Sequence, residues 1–116
     1  MNRRKKVMWD LVEAVRFVRI LSEDLEHMGL GIGIVGSVLL KGYSDNDLDL
    51  VVFPHDTTKP DFKYVLRIVL EGAGMHLAYN VERTHAAWRK LGSNDTKHVE
   101  VWKTREGKRV DLFVLS

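Results

Sequence analysis

The amino-acid sequence predicts an α/β (α+β) chain, a mixed β-sheet flanked by helices. Three observations carry that expectation. An amphipathic stretch opens the chain, strand-like segments alternate with helical ones along its middle, and its end reads as a hairpin. The order helix, strand, helix, strand, helix, then strands is that of a sheet covered by helices.

Each element has its own pattern. Across residues 7–28 apolar side chains recur at Met8, Leu11, Val12, Val15, Val18, Leu21, Leu25 and Met28. Steps of three and four make a helical stripe, with Asp10, Glu13, Arg16, Arg19, Glu23 and Glu26 directed to water. Gly29 is expected to end the helix, because glycine accepts the left-handed conformation that closes one. Residues 32–35 read as a buried strand, broken by Gly36 and Ser37, with a short segment at 38–41 beyond. From 47 to 53 the alternation is strict: Asp47, Asp49, Val51 and Phe53 point one way, Leu48, Leu50 and Val52 the other. Pro54 stops this strand. Lys59, Pro60 and Asp61 begin a second helix, proline being suited to a first turn; its stripe is Phe62, Val65, Leu66 and Val69, and Gly72 ends it. Residues 75–81 read as a strand, 84–91 as a short helix and 92–96 as a turn. Strands at 97–104 and 108–115, joined at Arg105, Glu106 and Gly107, form the terminal hairpin.

Bulk properties narrow the classes. A chain of 116 residues fits one domain, residues 1–116. Its 45% hydrophobic and 29% charged residues are those of an ordinary globular protein. Without cysteine it has neither disulfides nor a thiolate-held zinc. The net charge is only +2, and the one basic cluster is Arg3, Arg4, Lys5 and Lys6, expected to be a flexible end over residues 1–6. No signal peptide is visible and no apolar run approaches the ~20 residues of a membrane span. A cytoplasmic protein with no membrane partner is expected.

The chemistry lies in three carboxylates. Asp47 and Asp49 sit two apart on a strand, so both project from one face. Two such charges repel, and neither is buried cheaply without a counter-cation. A divalent metal is the simplest physical reason to place them together. Asp111 lies on the terminal strand, on the face opposite Val110, Leu112 and Val114; pairing of that strand beside the first would bring three carboxylates to one point. Such a set suits two Mg²⁺ ions, which take oxygen ligands and keep sites open for substrate phosphates. Gly36 and Ser37 supply a second feature. Glycine allows close approach of a phosphate, a following helical turn offers N–H groups, and the Ser37 hydroxyl adds a hydrogen bond. Lys41 could bring positive charge to the same phosphates.

Gly36-Ser37, nine residues, then Asp47-Leu48-Asp49-Leu50 resembles the signature of the DNA polymerase beta-like nucleotidyltransferase superfamily, in its minimal form. Lys108-Arg109-Val110-Asp111-Leu112-Phe113 is similar to the strand that carries that family's third carboxylate. The resemblance spans residues 32–115 and rests on about seven positions. It implies a single nucleotidyltransferase domain and transfer of a nucleoside monophosphate from a triphosphate to a hydroxyl. It implies that Asp47 and Asp49 hold both metals, and that Asp111 holds the catalytic one and helps deprotonate the attacking hydroxyl. Gly36 and Ser37 would then bind the outer phosphates. ATP is the expected donor, although no residue selects its base; the acceptor is a protein side chain, a small molecule or an RNA end. Members often carry an arginine shortly after Gly-Ser. Val38-Leu39-Leu40 stands there instead, so triphosphate binding is expected to be weaker or to rely on Lys41. No further gripping domain is visible, which disfavours templated synthesis and points to a protein partner or homodimer.

Other readings compete. Asp45-Asn46-Asp47-Leu48-Asp49 resembles the start of a calcium loop but lacks the glycine and the closing glutamate. Gly31, Gly33 and Gly36 fit a dinucleotide fingerprint, yet they follow a helix and overlap a strand. His76, His85 and His98 have no metal spacing, and Trp9, Trp88 and Trp102 are expected in or near the core, Trp102 also being placed to stack on a base or acceptor. Tyr43 and Ser44, just before the acids, read as loop filling, with lining of the site as the alternative; Arg83, Arg89 and Lys90 read as solvated charge, with phosphate binding as the alternative. The rival functions are a non-catalytic partner-binding module (an antitoxin or subunit), betrayed by an exposed apolar patch on the first helix, and a nucleic-acid tailing subunit supported by the Arg3–Lys6 arm.

Overall fold

Sheet and helix periodicities in the sequence translate into ten elements among the described residues. The computed structural model describes residues 7–55, 62–78 and 97–115. In chain order they hold β1 (Trp9–Asp10), α1 (Leu11–His27), β2 (Leu30–Val35), α2 (Gly36–Lys41), β3 (Tyr43–Ser44), β4 (Asp47–Pro54), α3 (Lys63–Gly72), β5 (His76–Leu77), β6 (Lys97–Lys103) and β7 (Arg109–Leu115). Five strands form a mixed sheet in the order β2-β4-β7-β6-β5. β4 and β7 run parallel, and the other neighbours are antiparallel. β1 and β3 make a separate short pair. The expected α+β architecture is therefore present.

Alternation decides which face of the sheet is covered. Leu48, Leu50 and Val52 of β4 and Val110, Leu112 and Val114 of β7 are all buried. They pack in one cluster with Ala14, Leu21 and Leu25 of α1 and Leu66, Val69 and Leu70 of α3. Burying each such aliphatic side chain stabilises by roughly 1.5–3 kcal/mol. The opposite face receives the intervening residues, including Asp47, Asp49 and Asp111, and β6 adds buried Val99 and Val101 there.

α1 departs from expectation at both its start and its stripe. It begins at Leu11 because the Asp10 carboxylate caps it, accepting from the Glu13 N–H at 2.7 Å. Asp10 is thus a cap rather than a helical surface residue. The buried stripe is Ala14, Leu21 and Leu25, with Phe17 and Val18 packed beside it, whereas Leu11, Val12 and Val15 are exposed. The helix lies chiefly against β2 and α3, with further contacts to β1 and α2.

The hairpin forms where the glycine predicts it. Thr104 N–H donates to the Lys108 carbonyl at 2.9 Å, and Gly107 takes φ 81° in the connecting turn. The strand expected at 75–81 is limited to His76–Leu77 among the described residues. The helix at 84–91, the turn at 92–96, the Arg3–Lys6 cluster, His85, Trp88, Arg83, Arg89 and Lys90 lie outside the described residues, as do Lys59, Pro60 and Asp61. Among the described residues no helix is long and apolar enough to cross a membrane.

Leu50 sits at the centre of this core, fully buried between strands and helices. Leu50→Ala is expected to lower unfolding free energy by about 2–5 kcal/mol, read from urea melts with an unchanged denaturant slope.

Candidate metal centre

Parallel pairing of β4 with β7 sets Asp47 beside Arg109 and Asp49 beside Asp111. Partners in a sheet present side chains on the same face, so the three aspartates converge. Asp47, Asp49 and Asp111 each offer a carboxylate oxygen within 4.8 Å of the others, and all three are half-buried. Oxygen donors in this number and spacing suit a hard divalent cation.

Surrounding groups respond to the crowding of charge. Burial, followed by the charges of Asp47 and Asp111, pushes the Asp49 carboxyl up to about 6, while Arg109 opposes the shift. Asp47 is also raised, by burial and then by its hydrogen bond to Asp111 and that residue's charge; Arg109 and the Ser44 hydroxyl pull it down. The Arg109 guanidinium grips Asp111 with a two-pronged contact, Nε to Oδ1 at 2.7 Å and Nη2 to Oδ2 at 3.2 Å. No motif in the sequence marks Arg109 as part of the site. Its place two residues before Asp111 on an alternating strand was the available signal.

Gly36 is needed for a reason that its sequence neighbourhood does not reveal. It takes φ +71° as β2 passes into α2, and any Cβ there would collide with the Asp49 carboxylate. Its first visible service is therefore to make room for an acid, since Val35 pairs with Asp49 and brings the turn onto it. Beyond it lies a cleft of about 180 Å³ lined by Ser37, Lys41, Tyr43, Ser44, Asp45, Asn46 and Asp47. Ser37 and Lys41 thus reach the same opening as one of the acids. Ser44 is more than loop filling: its Oγ accepts from the N–H groups of Asn46 at 3.3 Å and Asp47 at 3.2 Å, which shapes the turn into β4. Leu39 and Leu40, in the stretch where an arginine was wanting, point to solvent, and Val38 is in the core.

Trp102 is placed away from this centre. Its ring is fully buried and its Nε1 donates to Glu100 Oε1 at 2.9 Å, so the core role holds and a stacking role on an acceptor does not. Glu100 is buried too and pairs with Arg67. His76 is exposed on β5.

Comparison with known proteins bears on the fold. No protein-family model matches the chain, and no curated protein sequence matches it. Among solved structures it is similar to a cytoplasmic RNA terminal U-transferase, with a TM-score of 0.58 and 14% identity. The likeness covers 90% of this chain and 28% of that one. The chain thus has a nucleotidyltransferase fold and spans little more than a quarter of the neighbour's length.

Two outcomes follow from the crowded acids. A carboxyl raised in the folded state contributes stability that is complete below its unfolded value and is lost as pH rises through its folded value. Asp49 therefore costs the metal-free protein stability as pH climbs through about 6. Asp49→Asn is expected to gain on the wild type from about pH 5 to about pH 8, as read from urea melts in chelator. Gly36→Ala, forced to keep a left-handed backbone, should lose at least about 1–2 kcal/mol and weaken Mn²⁺ binding, measured by thermal melting and calorimetry.

Proposed function

We propose that this chain is a Mg²⁺-dependent nucleotidyltransferase that moves a nucleoside monophosphate from a triphosphate, ATP by expectation, to a hydroxyl acceptor. The observation that carries the reading is the convergence of Asp47, Asp49 and Asp111 beside the cleft that holds Ser37 and Lys41. Asp47 and Asp49 would hold two ions and Asp111 one of them. When bound, the ions neutralise phosphate oxygens and lower the pKa of the attacking hydroxyl. Ser37 and Lys41 hold the outer phosphates in the cleft. Asp111 takes the hydroxyl proton as the acceptor oxygen bonds to the α-phosphorus; the bond from that phosphorus to its bridging oxygen breaks, and pyrophosphate leaves. The Arg109 fork keeps Asp111 aimed while leaving it lone pairs to accept that proton.

Likeness to an RNA terminal U-transferase makes an RNA end one acceptor to test, beside a protein side chain or a small molecule. A second reading is supported by the surface of α1, where Val12 and Ile20 are 62% and 66% exposed, and by Leu40 of α2, 84% exposed. Such apolar exposure favours a partner-binding module in which the fold serves recognition rather than catalysis.

Calorimetric titration of the four ribonucleoside triphosphates with Mg²⁺ separates the two. Wild type is expected to bind at least one of them in a metal-dependent manner, and Asp47→Asn/Asp49→Asn to lose that binding. With labelled triphosphate and an acceptor, the same pair of substitutions should lower transfer at least about a hundredfold, several kcal/mol of transition-state stabilisation being removed. A folded wild type that binds no triphosphate would leave the partner-binding reading.

A further inference from the structure

The acids stand at an exposed seam of the sheet. Asp47 is the first residue of β4 and its partner Arg109 the first of β7, so the triad occupies the end of a ladder that has no residue before it in either strand. Arg109 is paired on its other side with Lys103 of β6, and its guanidinium offsets part of the repulsion among the acids.

Trp9 connects to both strand starts. Its backbone pairs with Ser44 in the β1–β3 bridge, with Met8 N–H donating to the Ser44 carbonyl at 3.0 Å and Leu11 N–H to the Gly42 carbonyl at 2.9 Å. Ser44 in turn holds the N–H of Asp47. The indole reaches the other strand: Nε1 donates to the Arg109 carbonyl at 3.0 Å, across 100 positions of sequence. The ring is only 2% exposed. It is wedged by Phe17 at 5.4 Å between centroids, and the Lys108 ammonium sits 4.9 Å over its face while pairing with Glu13. Lys108 immediately precedes Arg109, so the cation adds a second tie at the same strand start.

We infer that Trp9 is a positioning residue for the metal centre, clasping the turn that delivers Asp47 to the strand that delivers Arg109 and Asp111. The inference rests on the reading of the three aspartates as metal ligands. Its action is through geometry: the indole N–H fixes the separation of the strand starts, and the acids inherit that separation. Partners behind metal ligands commonly change affinity by 10–100-fold when removed. With Trp9 one step further out, about a tenfold effect is expected.

Mn²⁺ binding to the full chain, followed by calorimetry without nucleotide, tests this. Trp9→Phe keeps the ring against Phe17 and beneath Lys108 but removes the N–H, and should weaken Mn²⁺ binding about tenfold. Phe17→Leu, which disturbs the packing of the indole and leaves its N–H, should lower the melting temperature with Mn²⁺ affinity kept within about twofold. If Trp9→Phe does not fold, a benzothienyl analogue of tryptophan at position 9 alone replaces the N–H by sulfur at nearly constant shape and should show the same loss. Unchanged Mn²⁺ affinity in the N–H-free variants overturns the inference and leaves the metal centre standing. So does a loss shared equally by Phe17→Leu, which would mark Trp9 as core and nothing more. A wild type that binds no Mn²⁺ overturns the metal centre itself and this inference with it.

Discussion

Everything at the centre depends on the register in which β4 lies beside β7. With Asp49 opposite Asp111, the same alternation that turns Leu48, Leu50, Val52, Val110, Leu112 and Val114 toward the helices turns the acids the other way. A slip of one residue would bury the acids under α1 and α3 and expose the core. The two effects are unequal. Six aliphatic side chains at roughly 1.5–3 kcal/mol each hold the register, whereas a pair of carboxylates near 4 Å repels by roughly 4 kcal/mol at an effective dielectric of about 20. Hydrophobic burial therefore fixes the pairing, and the electrostatic cost is met locally by Arg109 and by the raised proton affinity of Asp47 and Asp49.

The turn from β2 into α2 is subordinate to that register. Val35 stands opposite Asp49, so the chain must leave the sheet directly over a carboxylate. Only a residue without a Cβ fits there, and the positive φ of Gly36 directs the following residues away from the acid and along the cleft. One glycine consequently serves two ends. It leaves Asp49 in place, and it sets Ser37 and Lys41 where an anion beside the acids would meet them. The glycine of the Gly-Ser pair is thus explained by the acid behind it.

Most of this was legible because it is periodic or local. Strict alternation at 47–53 and around Asp111 identified β4, β7 and the shared face of the acids, and Gly107 marked the hairpin. The stripe of α1 is less legible. Leu11, Val12 and Val15 are spaced for burial but are exposed, while Ala14, a small residue that adds little to an apolar stripe, is fully buried. Asp10 carried the cap signal that would have moved the start of the helix. Arg109 and Trp9 were not legible as parts of the site for another reason. The grip on Asp111 depends on a side-chain conformation, and the bond from Trp9 to Arg109 joins residues 100 apart, a distance at which periodicity carries no information.

The charge left over at the centre is itself informative. Three carboxylates against one guanidinium leave a formal −2 when all the acids are ionised. Lys108, next in sequence, is committed to Glu13 and to the face of Trp9. Among the described residues the fold thus places one guanidinium on Asp111 itself, with Lys41 across the cleft that Asp47 lines. A site evolved for stability alone would place an apolar residue or a second basic one at Asp47 or Asp49, because an unbalanced pair costs folding free energy at neutral pH. Local violation of that kind, held in place by a consistent core around it, is characteristic of positions kept for what they bind. A residual of two negative charges, presented through oxygens on one face, is the complement of a divalent cation.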